Sequence, residues 1–203
     1  MYLSKSPAII KKYYQKLIWD IPNEENKIYL TFDDGPTPEI TEWVLEILRK
    51  YKIKATFFCI GDNVHKHTVI YQRILTEGHA VGNHTQNHLK GWITEDDTYF
   101  ENIEKCAKLV KSNLFRPPYG RIKKSQYSIL NTQYKIVMWD VLSGDFDPKT
   151  SPEKCLKNVT KNTKSGSIIV FHDSVKAYEK LQYALPKAIE HLLEQGFVFD
   201  VID

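Results

Sequence analysis

Short runs of β-branched and aromatic residues alternate along the whole chain with stretches whose apolar residues recur at helical spacing. That alternation constrains the fold more than any other feature. The runs cover residues 28–32, 55–60, 79–83, 114–116, 135–141, 167–172 and 197–201. Between the first two, Ile40, Val44, Ile47 and Leu48 share one helical face behind Pro38, which suits the first helical position. Phe100, Ile103, Ala107 and Val110 form a second stripe. Leu181, Leu185, Ile189, Leu192 and Leu193 form a third, which stops at Gly196, a residue favoured just past a helix end. Strands alternating with helices make a parallel sheet with crossover connections, so the chain is α/β, either a doubly wound sheet or a (β/α) barrel.

Size and charge narrow the partners. At 203 residues the chain suits a single core, and its 42% hydrophobic and 12% aromatic content supplies the material to fill one. A net charge of +3 falls short of the basic excess of a phosphate-backbone binder, so nucleic acid is excluded as the expected partner. No apolar run reaches the roughly 18 residues that cross a bilayer. Cys59, Cys106 and Cys155 lie far apart with no C-x-x-C spacing and read as reduced core thiols. The N-terminus has neither a long apolar stretch nor a small-residue cleavage site, so a cytoplasmic location is the expectation.

Residues 1–25 differ in character from 26–203. There Ile10, Tyr13, Tyr14, Leu17 and Ile18 fall at helical spacing beside Lys11, Lys12 and Lys16. A basic amphipathic segment of this kind can lie on an anionic membrane. Because such stripes usually face a core, packing of 1–25 on the domain formed by 26–203 is the favoured expectation.

The chemistry concentrates where runs end. Thr31-Phe32-Asp33-Asp34-Gly35-Pro36 closes the first. Side chains alternate along a strand, so adjacent carboxylates cannot share a face of it, but a Gly-Pro turn lets both approach one site. Asp-Gly-Pro is also ordinary turn chemistry. His84 and His88 follow the third run; at i and i+4 on a helical turn two imidazoles stand about 5–6 Å apart, within reach of one metal ion. A carboxylate would complete a His₂–Asp set with a position left for water, whereas a solvated helical pair is the plain alternative.

Arg116-Pro117-Pro118-Tyr119-Gly120 leaves the fourth run. Its prolines make a rigid, amide-poor segment in which the Tyr119 amide is a fixed donor, and the planar fork of Arg116 suits a carboxylate. Asp145 follows the fifth run, and His172-Asp173 closes the sixth. A histidine beside a carboxylate at the C-terminal end of a buried strand is the usual device for proton transfer. His65, His67, His79 and His191 lack such a setting and read as solvated or structural. Candidates at the ends of five strands converge on one mouth in a barrel, but not in an open sheet, so the barrel is preferred.

Taken in order, these motifs resemble the polysaccharide deacetylase family, carbohydrate esterase family 4 or NodB homology domain, over roughly residues 26–202. The resemblance implies a distorted (β/α) barrel of about seven parallel strands and a metal-dependent hydrolase, usually with zinc and alternatively cobalt, that removes acetyl groups from N-acetylglucosamine polymers or acetylated xylan. It also implies roles: Asp33 as base; Asp34, His84 and His88 as metal ligands; Arg116 against Asp33; and the Tyr119 amide, after Pro118, as oxyanion donor. Asp145 would tune His172, the general acid. Phe146 and Val170 stand where the family usually has Trp and Leu, and keep an apolar acetyl pocket.

The expected function is therefore removal of acetyl from an N-acetylated amino sugar. Alternatives are an O-acetyl esterase, a non-catalytic carbohydrate-binding relative, and a phosphohydrolase. The presence of every motif position speaks against the relative, and two imidazole ligands with no Gly-Lys phosphate loop speak against the phosphohydrolase.

Overall fold

A computed structural model describes residues 3–203. Eight strands follow one another as β1 (Lys27–Asp33), β2 (Thr56–Cys59), β3 (Ala80–Asn83), β4 (Leu114–Phe115), β5 (Lys135–Ile136), β6 (Val141–Leu142), β7 (Ile168–His172) and β8 (Val198–Asp200). They form one parallel sheet in the order β5-β4-β3-β2-β1-β7-β6, with β8 paired to the start of β1. The run 135–141 is not one strand, because its two ends serve different neighbours. β5 pairs with β4, β6 pairs with β7, and the bonds from Val137 N to Phe115 O and from Asp140 N to Ile168 O carry the chain across. The segment thus joins the two edges of the sheet and curls it into the distorted barrel.

Strand alternation sorts the side chains. Ile28, Leu30 and Phe32 of β1 face outward into the main core beneath the helices, where Phe32 stacks between Phe57 and Phe171 at 5.1 and 6.4 Å. Tyr29 joins Phe58, Leu114, Val137 and Ile168 in an inner cluster, so Thr31 and Asp33, which share its parity, point toward the barrel mouth.

The outer layer is made by α2 (Ile40–Lys50), α3 (Gly61–Lys66), α4 (Thr68–Thr76), α5 (Asp96–Ala107), α7 (Pro152–Thr160) and α8 (Tyr178–Glu194), with α6 (Lys124–Leu130) beside β5. The α8 stripe is buried as expected at Leu181, Leu185, Ile189 and Leu192, with only Leu193 at its end exposed. In α5 Ile103, with Val110 beyond the helix, is buried as expected, but Tyr99 and Cys106 complete the buried face in place of their neighbours Phe100 and Ala107. One residue is about 100° of helix rotation, and both apolar neighbours satisfied the sequence pattern equally. All three cysteines are free and buried. Among the described residues no helix is long and apolar enough to cross a membrane.

The N-terminal segment does not form the expected striped helix. Its α1 (Ala8–Tyr13) is six residues long and buries none of them; Ile9, Ile10, Tyr13 and Tyr14 are exposed. Of the stripe residues Ile10, Tyr13, Tyr14, Leu17 and Ile18, only Leu17 is buried. The segment instead lies along the seam between β5 and β6, through bonds from Ile18 N to Ile136 O, Met138 N to Ile18 O, Ser6 N to Asp140 O and Leu142 N to Ser4 O. Backbone pairing, not an apolar stripe, holds it there.

Asp140 anchors this seam. It is fully buried and accepts from Lys5 Nζ at 2.6 Å, from Ser167 Oγ at 2.7 Å and from Lys11 Nζ, which also reaches Asp20. Burial opposes its charge, but these bonds prevail and hold its pKa below the ordinary value. A lowered folded-state pKa gives stability that is present above the unfolded-state value of about 3.9 and fades as pH falls through the folded-state value. We expect Asp140→Ala to lose about 1–3 kcal/mol at pH 7 in urea unfolding, with the gap from the parent narrowing below about pH 4.

Candidate active site

At the barrel mouth lies a cavity of about 450 Å³ whose wall includes Asp33, Asp34, His84, His88, Tyr119 and His172. Phe146 and Val170 also line it. Arg116, Asp145 and Pro118 are buried behind that wall. All of the residues singled out in the sequence therefore either line one cavity or support a residue that does.

Asp33 is the last residue of β1 and only 4% exposed. Arg116 Nη1 donates to its Oδ1 at 2.6 Å. The guanidinium is wholly enclosed, with Nη1 also reaching Thr31 Oγ1 at 2.8 Å, Nε donating to Val137 O at 3.2 Å and Nη2 to Met138 O at 3.0 Å. Its plane rests 4.0 Å from the Phe58 ring centroid. Burial lowers the Arg116 pKa, opposed by the charge of Asp33.

The next residue turns away from strand geometry. Asp34 has φ of 85°, in the left-handed region, and this brings a second carboxylate to the mouth beside the first. The turn is braced by Asp173, whose Oδ1 accepts from Gly35 N at 3.0 Å and whose Oδ2 accepts from Thr41 Oγ1 at 2.5 Å. A Cβ on residue 35 would lie 1.9 Å from Asp173 Oδ2, so only glycine allows this approach. Desolvation raises the Asp173 pKa to about 8. Fully buried in this role, Asp173 is a brace for the loop and lies outside the cavity wall.

The two imidazoles meet Asp34 by a route other than the expected helical turn. Residues 84–88 form a loop in which Thr85 and His88 adopt φ of 64° and 61°. Asn83 Oδ1 accepts from Thr85 N, Thr85 Oγ1 accepts from Leu89 N, and the amides of Gly61 and Asp62 at the start of α3 take the carbonyls of Thr85 and Gln86. Loop polarity and not helical periodicity sets the spacing. The result is nonetheless compact: His88 Nε2 is 3.2 Å and His84 Nε2 3.7 Å from Asp34 Oδ1.

The donor chemistry fits a metal ion. His84 Nδ1 is 2.7 Å from Arg116 O, and a carbonyl only accepts, so that nitrogen carries the proton and Nε2 presents its lone pair toward Asp34. Burial pushes the His84 pKa down to about 4, which keeps the ring neutral. Ligand atoms at about 2.0–2.1 Å from a tetrahedral ion stand about 3.3–3.5 Å apart, close to the separations from Asp34 to the two rings. Burial disfavours the Asp34 carboxylate, but the hydrogen bond from His88 and the charges of His172 and Lys176 outweigh it and hold its pKa well below the usual range. Its Oδ2 lies 3.0 Å from Lys176 Nζ.

Across the cavity, His172 ends β7. Its Nδ1 is 2.8 Å from Asp145 Oδ1, and its backbone N donates to Asp145 Oδ2 at 2.8 Å. Desolvation alone would lower the imidazole pKa, but the charge and hydrogen bond of Asp145 reverse the sign and raise it to about 9. Phe146 packs edge-on at 5.0 Å from the ring. Tyr119, with φ of 61°, places its side chain 4.6 Å from His88. Among the other histidines, His79 is structural: its Nδ1 accepts from Ala55 N at 3.2 Å and burial lowers its pKa to about 4.

Sequence reasoning missed Lys176, and also Lys90, Trp92, Arg121, Trp139 and Leu142 on the cavity wall. Lys176 alone had a signal, four residues beyond His172 on the same strand exit. Leu142 ends β6, and the others arrive on loops whose return to the mouth has no periodic signature.

Such a barrel, with one carboxylate and two imidazoles grouped at its mouth as a possible metal-ligand set, has the make-up of a hydrolase. Residues 20–136 match the family described as Polysaccharide deacetylase. The chain is 38% identical over 193 residues to a peptidoglycan-N-acetylglucosamine deacetylase of Bacillus cereus, covering 89% of this chain and 88% of that protein. It is 35% identical over 164 residues to a chitooligosaccharide deacetylase of Azorhizobium caulinodans, covering 75% and 76%. The crystal structure of the Bc1960 peptidoglycan N-acetylglucosamine deacetylase superposes with a TM-score of 0.87 at 30% identity, over 97% of this chain and 95% of the other. The chain belongs to the polysaccharide deacetylase family and is a hydrolase.

The brace at Gly35 is directly testable. We expect Gly35→Ala to cost about 1–3 kcal/mol through overpacking against Asp173, read as a lowered urea midpoint.

Proposed function

We propose that this protein removes the acetyl group from an N-acetylated amino sugar, with Asp33 as base and His172 as acid. The observation that carries this reading is the arrangement of two oppositely equipped groups on one cavity: an aspartate clamped by a buried arginine, and a histidine raised to about pKa 9 by a buried aspartate. Relatives named as N-acetylglucosamine and chitooligosaccharide deacetylases support the substrate class.

Asp34, His84 and His88 would hold a divalent ion, for which zinc suits the mixed nitrogen and oxygen donors. When bound, it supplies Lewis acidity toward the acyl oxygen and makes a neighbouring water more acidic. Asp33 takes the proton of the attacking water, held in place by Arg116, which leaves its second oxygen free for the transfer. The Tyr119 amide is the proposed oxyanion donor. Gly120 N and Arg121 N are already spent on Pro117 O and Pro118 O, so the bend fixes the Tyr119 peptide. Val170 and Leu142, both buried, with Phe146, give the acetyl methyl an apolar seat. His172 then protonates the departing nitrogen through Nε2, since Nδ1 is committed to Asp145.

Two measurements test this. Isothermal titration with zinc is expected to show one site per chain, weakened by more than about 100-fold in a His84→Ala, His88→Ala double variant; undiminished binding there would reassign the ligands. In kinetics, His172→Ala should lose about 10²–10⁴ on an N-acetyl sugar but much less on an activated aryl acetate, whose leaving group departs unprotonated. A protonated His172 is the active acid, so amide turnover should fall as pH rises toward about 9, and Asp145→Asn should move that limb to lower pH. Equal losses on amide and aryl ester would remove His172 from the acid role.

A further inference from the structure

Beside the active-site cavity opens a second hollow of about 360 Å³, a volume typical of small-ligand sites. The two share a wall: Trp92, Tyr119, Gly120, Arg121, Trp139 and Leu142 line both. Gly120 is needed at this wall, since its φ is 62° and a Cβ there would lie 2.3 Å from the Trp139 ring. The far side is the N-terminal segment, through Leu3, Pro7, Ile10, Tyr14 and Leu17.

The polar groups of this hollow are largely spent on the protein itself. Ser6 Oγ donates to Trp139 O at 2.6 Å, Trp19 Nε1 to Tyr14 O at 3.1 Å and Trp92 Nε1 to Ile122 O at 3.1 Å. What remains toward a ligand is chiefly hydrocarbon and ring face, with a polar minority that includes the Arg121 guanidinium. Further sugar units placed here would give up water for few hydrogen bonds, whereas an apolar chain would gain by leaving water. At the junction of the two spaces the charge is cationic. Arg121 lies 4.8 Å from the Trp92 centroid and Lys90 Nζ 5.1 Å from that of Tyr119; among the described residues neither pairs with a carboxylate. Leu3, Trp92 and Ile93, respectively 58%, 56% and 79% exposed, continue the apolar surface outward.

We propose that the combined cleft binds an amphipathic glycoconjugate, with the N-acetyl sugar in the first cavity, a phosphate ester link at Arg121 and Lys90, and an apolar chain in the second hollow against the N-terminal segment. This rests on the reading of the first cavity as a deacetylase site and names the substrate class it serves. The hollow shelters the part of the chain nearest the sugar, and the rest emerges past Leu3 and Ile93.

The test uses the full, zinc-loaded chain and acetate release from octyl phospho-N-acetylglucosamine, its methyl counterpart, octyl N-acetylglucosaminide, a nucleotide-linked N-acetylglucosamine and chitotetraose, with octyl compounds below their micelle concentration. Each methylene withdrawn from water contributes about fourfold in binding, so sheltering two of them gives more than tenfold. The octyl phosphodiester is therefore expected to exceed the methyl one by at least about tenfold in kcat/KM, mainly through KM. Ile10→Glu, on an exposed turn of α1, should collapse that ratio, and Arg121→Gln should erase the advantage of the octyl phosphodiester over the uncharged octyl glycoside. An octyl-to-methyl ratio near one, or faster turnover of chitotetraose or the nucleotide sugar than of the octyl phosphodiester, would overturn the proposal while leaving the deacetylase reading in place. If no substrate releases acetate, that reading falls instead. Quenching of tryptophan fluorescence by octyl phosphate against methyl phosphate then decides the hollow by itself, since Trp19, Trp92 and Trp139 line it; equal affinities would overturn the proposal.

Discussion

The base side of the barrel mouth leans on the buried guanidinium of Arg116. A wholly enclosed cation is costly unless its donors are met and its charge is paired, and here both conditions hold. The flat fork reaches Asp33 and Thr31 on β1 and the carbonyls of Val137 and Met138 on the segment that closes the barrel, while its face lies on Phe58 of β2. One side chain thus ties β1, β2, β4 and the closing segment at the level of the active site. A lysine could not do this, since a single ammonium cannot address four acceptors spread around a plane. The backbone of the same residue orients His84, so the base and one imidazole of the triad take their positions from one arginine.

A common arrangement follows around the cavity. Each reactive group presents one atom to the open space and commits the other to a buried partner: Asp33 to Arg116, His84 to the Arg116 carbonyl, His172 to Asp145. The buried partner fixes protonation as well as direction. Environment thereby splits three imidazoles, lowering His79 and His84 to about 4 and raising His172 to about 9. Four of the seven positive-φ non-glycine residues among the described residues lie at the same place. Asp34, Thr85, His88 and Tyr119 all have positive φ without being glycine, and all border the cavity or its loop, where the surrounding hydrogen bonds over-determine them.

Much of this was legible in the residues. The strand runs were recognised because barrel strands are buried on both faces and read as dense apolar stretches. The motif residues were recognised because carboxylate, imidazole and arginine at strand ends have few structural uses in combination. What failed, failed for physical reasons. The run 135–141 looks like one strand, yet it splits because its ends serve β4 and β7. His84 and His88 read as a helical pair because four-residue spacing is the same in a turn and in a loop, and hydrogen bonds to Asn83 Oδ1 and from the α3 amides decided between them. The stripe of residues 10–18 promised a buried helix, but its backbone found partners at the β5–β6 seam and left Ile10 and Tyr13 in solvent.

By itself the sequence determined the α/β alternation and the set of residues at the strand ends, because these depend on local periodicity and residue chemistry. The tertiary structure alone decided which groups meet. Asp34 faces His84 and His88 only because a left-handed residue follows β1, and that turn is held at Gly35 by Asp173, just past β7 and 138 residues away in the chain. Arg121 and Trp92 border the cavity only because two loops return to the mouth. Contacts of that range depend on how the barrel closes, and closure is a property of all its strands together.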